Sequence, residues 1–155
     1  MTQRMNAMAV APQAYQAMYG LESYVRQSGL EHGLIHLVKL RVSYMNGCAY
    51  CVDMHSKDAR AGGETEQRIY SVPVWRETPF YTSRERAAIA WAEVVTALGP
   101  HGVSDEAYAD VREEFDEAEL VHLTMAIVTI NGWNRLAIAL GADVGSYQPK
   151  AKQAS

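Results

Sequence analysis

Cysteine, positive charge and unbroken apolar sequence are all scarce in this chain of 155 residues. Two cysteines are too few for a small domain stapled by disulfides. Lys and Arg number 14 against 18 Asp and Glu, a formal net charge of −4. A nucleic acid or an anionic membrane surface needs a basic patch, so neither is expected as a partner. The most apolar stretch, Leu120 to Leu140, is interrupted by His122, Thr124, Asn131, Asn134 and Arg135, which argues against a membrane span. Met1 to Gly20 scatters alanine and methionine without a continuous apolar run, unlike a secretory signal. A cytoplasmic location is therefore expected. In a reducing compartment two cysteines point to redox or metal chemistry rather than to a structural disulfide.

Alternating polar–apolar runs are scarce as well, which disfavours a sheet. What is present is an ordinary globular mix, 48% hydrophobic and 21% charged, at a length that suits one domain over 1–155 with a sizeable core. The tail from about 144 to 155, with its Gly, Pro and Lys, is expected to be mobile.

The chain reads as helix after helix. Ala14 to Gln27 and Leu34 to Met45 form the first two; the second is apolar around most of its circumference and should be deeply buried. Asn46-Gly47 breaks it, since both residues tolerate a left-handed turn. A helix from Cys48 to Gly62-Gly63 follows, then a short one within Glu64 to Tyr70. Pro73 and Pro79 bound an irregular loop holding Trp75 and Phe80. Thr82 and Glu85 have capping-box spacing at the head of a helix reaching Leu98. Ser104 caps Asp105 to Phe115, and Asp116 with Glu119 opens a long apolar helix ending at Gly141. Asn131, Asn134 and Arg135, polar groups within that helix, need partners and should tie helices together.

The candidate chemistry lies in Cys48-Ala49-Tyr50-Cys51-Val52-Asp53-Met54-His55. Spacings of three and four put both sulfurs and the imidazole on one helical face. Cys48 falls at the helix start, where unpaired N–H groups and the macrodipole stabilise a thiolate. His55, one turn beyond Cys51, can take its proton or stabilise its charge. An oxidised first sulfur can be captured by the second as a disulfide. Zinc on Cys48, Cys51, His55 and a fourth ligand is the metal alternative. A second ligand pair, usual in structural zinc sites, is not seen, so no metal is expected.

These residues, with Leu37-Val38-Lys39-Leu40-Arg41-Val42-Ser43 before them and Trp75-Arg76-Glu77-Thr78-Pro79-Phe80, Glu85 to Trp91 and Asn131-Gly132-Trp133-Asn134-Arg135 after them, resemble the alkylhydroperoxidase-D-like branch of the carboxymuconolactone decarboxylase family. The resemblance spans roughly 15–142. It implies a compact all-α, multi-helix fold that assembles into a trimer or hexamer. It also implies a cysteine-based peroxidase, an antioxidant oxidoreductase without a cofactor. Cys51 would attack the hydroperoxide, Cys48 would resolve it, and a lipoyl- or thioredoxin-like dithiol partner would reduce the resulting redox-active disulfide. Helix-terminus chemistry alone favours Cys48 as the more acidic thiol, so the order of the two stays open. The family pattern carries a glutamate twelve residues before the first cysteine and a histidine before the second. This chain has His36 and Tyr50 there; His36 can relay protons near neutrality and Tyr50 can donate a hydrogen bond or merely pack. The other readings are a disulfide carrier or redox sensor that does not reduce peroxide, and a small-molecule-binding or decarboxylase-like protein with inert thiols.

Overall fold

A helix apolar around most of its circumference has to be surrounded, and the fold is organised around meeting that demand. The computed structural model describes residues 3–149. Over these residues the chain is helical without strands: α1 (Ala7–Val10), α2 (Pro12–Arg26), α3 (His32–Met45), α4 (Ala49–Gly62), α5 (Glu66–Ser71), a 3-10 turn (Val72–Glu77), α6 (Ser83–Thr96), α7 (Asp105–Arg112) and α8 (Glu117–Leu140).

The central helix is α3. It sends Leu34, Ile35, Val38 and Val42 into a larger core shared with α6, α7 and α8. On its other side, Leu37 and Leu40 enter a smaller core with Ala59, Ile69, Val72, Trp75, Tyr81 and Ile89. It packs on α4, α6 and α8, while α2 lies along α8. Burial of this apolar surface is the main term holding the helices together. The apolar length of α8 has the same cause: Leu120, Leu123, Ala126, Ile127 and Ile130 are core residues.

Helix ends follow their local chemistry. Thr82 with Glu85 and Asp116 with Glu119 form full capping boxes. The first long helix begins at Pro12, earlier than Ala14, because proline suits the first helical position. The expected irregular loop is instead the 3-10 turn, with Pro73 in its first residues. Within it Trp75 is a core residue. Its indole N–H donates to Glu93 Oε1 at 2.8 Å, and Arg76 stacks 4.4 Å from its ring centroid.

Candidate active site

Two packing devices set the cysteine helix in place. Of Asn46-Gly47, only Gly47 takes the left-handed conformation, at φ 67°, and the chain turns there from α3 into α4. Asn46 is fastened to α8: its amide donates to Asn131 Oδ1 at 2.9 Å and to Asn134 Oδ1 at 2.8 Å. Buried Asn134 in turn donates to Ser43 Oγ at 3.1 Å. Asn131 and Asn134 therefore tie α3, the turn and α8 together immediately before Cys48, whereas Arg135, among the described residues, bonds only to Asn131 on its own helix.

Cys48 is the N-cap of α4, and its sulfur accepts the Cys51 backbone N–H at 3.3 Å. Cys48 and Cys51 are joined as a disulfide, with their Cα atoms 5.3 Å apart. Both are 1% exposed. The zinc alternative needs these sulfurs as thiolates, and in this state they are bonded to each other.

A cavity of about 320 Å³ opens over this helix. Cys51 and His55 form part of its wall, with Tyr50, Met54 and Asp58 from the same helix, whereas Cys48 is not among its lining residues. From α2 come Tyr15, Tyr19 and Glu22, spaced four and three apart on one face. From α8 comes Trp133, its ring 5.7 Å from Tyr15 and 5.3 Å from Tyr19. Tyr147 closes the far side.

His55 is 5% exposed, and neither ring nitrogen has a hydrogen-bond partner. Burial, reinforced by the positive Lys39 and by His36, holds it well below the usual imidazole range. Its Nδ1 lies 4.0 Å from Asp58 Oδ2. His36 is also lowered by burial, with Asp58 opposing and Lys39 adding, and its buried Nδ1 has no partner. Burial raises the Tyr50 phenol, and Tyr19 and Tyr15 add to the effect. The charged head of Lys39 pairs with Glu22.

Donor atoms of His36, His55 and Asp58 all lie within 4.8 Å of one another.

The expected site residues Cys48, Cys51, His55, His36 and Tyr50 are thus neighbours. Glu22, Asp58, Tyr147 and the aromatic wall were missed. Asp58 was within reach of the same spacing rule, because it follows His55 by three. Of the tail from 144 to 155, residues 150–155 lie outside the described ones. The stretch before them folds over α4: Tyr147 Oη donates to Asp58 Oδ1 at 2.6 Å. Lys57 Nζ donates to the carbonyls of Gly145 at 3.4 Å and Tyr147 at 3.0 Å.

The chain is similar to several known proteins. The family model described as "Carboxymuconolactone decarboxylase family" matches residues 12–94. The uncharacterized protein YdfG of Bacillus subtilis is 45% identical over 141 residues, covering 91% of this chain and 96% of that protein. A crystal structure from Agrobacterium tumefaciens has a TM-score of 0.90 and 44% identity, and covers 94% of this chain and all of that one. It is of a protein of unknown function, provisionally called an antioxidant defence protein AhpD. An uncharacterized peroxidase-related protein of Ralstonia eutropha with an alkylhydroperoxidase AhpD core shares the fold, with a TM-score of 0.80 at 21% identity. That match covers 90% of this chain and 75% of that one.

Proposed function

This chain belongs to the carboxymuconolactone decarboxylase family, in its AhpD-like branch, and from that premise we propose that it is a thiol-dependent hydroperoxide reductase. The observation that carries the reading is the disulfide-linked pair whose second cysteine lines, together with His55, a cavity large enough for a small organic molecule.

That placement supports one order of the cysteines. Cys51 lines the cavity and attacks; Cys48, at the helix cap behind it, resolves. The Cys51 thiol gives its proton to His55. The thiolate attacks one peroxide oxygen, the O–O bond breaks, and the departing alkoxide takes the proton from His55. The products are an alcohol and the Cys51 sulfenic acid. The Cys48 sulfur then attacks Cys51, the S–O bond breaks, and the hydroxide leaves as water with the Cys48 proton. Two electrons pass from the thiols to the peroxide. The aromatic wall of Tyr15, Tyr19 and Trp133 suits an apolar organic group on the hydroperoxide.

An external dithiol returns the electrons by thiol–disulfide exchange. Both cysteines are 1% exposed, so the attacking thiol has to enter the cavity, and a slender lipoyl arm fits that route better than the broad face of a thioredoxin-like protein. The reading places the enzyme in the cytoplasm as a homo-oligomer, a trimer or hexamer. Val121 and Val128, exposed and two helical turns apart on α8, suit a subunit contact.

The test mixes reduced protein with cumene hydroperoxide while free thiols are counted. Loss of both thiols, abolished in Cys51→Ser, is expected. No loss, or undiminished loss in Cys51→Ser, overturns the reading. Disulfide exchange with dihydrolipoamide but not with peroxide would mark a disulfide carrier instead.

A further inference from the structure

We infer that Asp58, held by Tyr147, is the positioning carboxylate that lets His55 take up the Cys51 proton. The inference rests on the reading of Cys51 and His55 as thiol and base, and it adds two residues to that site.

A buried imidazole flanked by a lysine is a poor place to put a proton. Lys39 and His36 on α3 oppose its charge, and its ring nitrogens have no acceptor. A neutral His55 can offer a thiolate a hydrogen bond but no positive charge. Something has to balance the imidazolium at the moment it forms. The groups facing the cavity are Glu22, Tyr15 and Tyr19 from α2, Tyr50 and Asp58 from α4, and Tyr147 from the segment after α8. Only two of them are carboxylic acids. Glu22 is engaged with Lys39, so its charge is spent on a cation that is already there. Asp58 is engaged by a phenol: Tyr147 Oη donates to Oδ1 at 2.6 Å. A phenol orients a carboxylate without neutralising it. The free oxygen, Oδ2, is the one turned to His55 Nδ1, at 4.0 Å.

This is a carboxylate–histidine–thiol line along one face of α4. Asp58, His55, Cys51 and Cys48 stand three, four and three residues apart, so each side chain lies over the next. A closure of about 1 Å brings Nδ1–H to the length of a charge-assisted hydrogen bond. Nε2 is then the nitrogen left to take the Cys51 proton, and the Nδ1 contact selects that tautomer.

Tyr147 brings a segment of the chain into the site. Lys57, itself paired with Asp53 at 2.9 Å, holds the carbonyls of Gly145 and Tyr147. The strap is thus anchored on the exposed side of α4 while its phenol reaches Asp58.

The experiment measures the Cys51 thiol alone, in reduced Cys48→Ser protein, through the pH dependence of alkylation by iodoacetamide. That reagent needs no peroxide turnover. Asp58→Asn is expected to move the alkylation midpoint to higher pH, with about tenfold less reactive thiolate near neutrality. Asp58→Glu is expected to restore most of it, and Tyr147→Phe to lose about threefold. An Asp58→Asn curve that coincides with its parent, or moves to lower pH, overturns the inference; so does an Asp58→Glu as slow as Asp58→Asn. If Asp58→Asn does not fold by circular dichroism, Tyr147→Phe decides alone: a lowered rate with raised midpoint supports, an unchanged curve overturns. Shifted midpoints in a protein inert to hydroperoxide would leave this arrangement standing while removing the peroxidase reading. Peroxide consumption with unshifted midpoints would do the reverse.

Discussion

Acidification between about pH 7 and pH 5 should destabilise the folded protein through one buried side chain. In the unfolded chain His55 takes its proton near the ordinary imidazole value of 6.5; in the folded protein it stays neutral well below that. The unfolded state therefore binds more protons as the pH drops. The stability that His55 contributes is full above about 6.5 and is lost as pH falls toward the folded value. For each pH unit below 6.5 over which the folded imidazole stays neutral the loss is about 1.4 kcal/mol, and each kcal/mol lowers the melting temperature of a chain this size by about 2–4 °C. His36, lowered by burial against the pull of Asp58, adds to the loss in the same direction. Carboxylates do not confuse the window. Burial works against Glu85 and Glu93, yet hydrogen bonds from Arg68 to the one and from Arg76 and Trp75 to the other keep both below 4.5. Their contributions fade only at lower pH. The assay is urea unfolding of oxidised protein at a series of pH values, at fixed protein concentration because an oligomer's stability depends on it. His55→Gln should flatten the slope by about the same 1.4 kcal/mol per pH unit. A wild-type protein as stable at the acid end as at neutrality, or a His55→Gln variant that keeps the full loss, would refute the reasoning.

Two further substitutions probe the scaffold and the cavity. Asn134→Ala removes a fully buried amide and leaves the Asn46 and Ser43 groups short of a partner; urea unfolding should show a cost of about 2–3 kcal/mol. Trp133→Ala opens the aromatic wall beside Tyr15 and Tyr19. With cumene hydroperoxide its KM should rise about tenfold with kcat little changed, while its rate with hydrogen peroxide stays within about twofold.

Much of the fold could be read from the sequence because its signals are local. The capping boxes at Thr82 and Asp116 and the apolar circumference of α3 each depend on residues within a few turns of one another, and all are present. The segment between Pro73 and Pro79 is where local signals mislead. Proline breaks an α-helix, but it also suits the start of a tighter turn, and Trp75 then finds Glu93 on a distant helix. Nothing near position 75 in sequence announces that partner. The same holds for the asparagines of α8. Their need for partners was legible, but Asn46 as the partner was not, since 85 and 88 residues separate it from Asn131 and Asn134.

The site divides along the same line. Cys48, Cys51 and His55 share one helix, so spacing alone could group them. Carried one step further, the same spacing reaches Asp58, but spacing does not say which of two carboxylates on α4 faces inward. Asp53 and Asp58 differ in what meets them: Lys57 takes the first on the helix surface, while a tyrosine from beyond the end of α8 meets the second. The cavity has the same character. Tyr15 and Tyr19 become its wall only because α2 packs on α8 and brings them to Trp133, more than a hundred residues away. A helical face can thus nominate the reacting groups of this chain, whereas the environment that sets their basicity comes from Lys39, Glu22 and Tyr147 on three other segments. Replacing the reacting groups should abolish reaction outright, and replacing those around them should move its pH dependence.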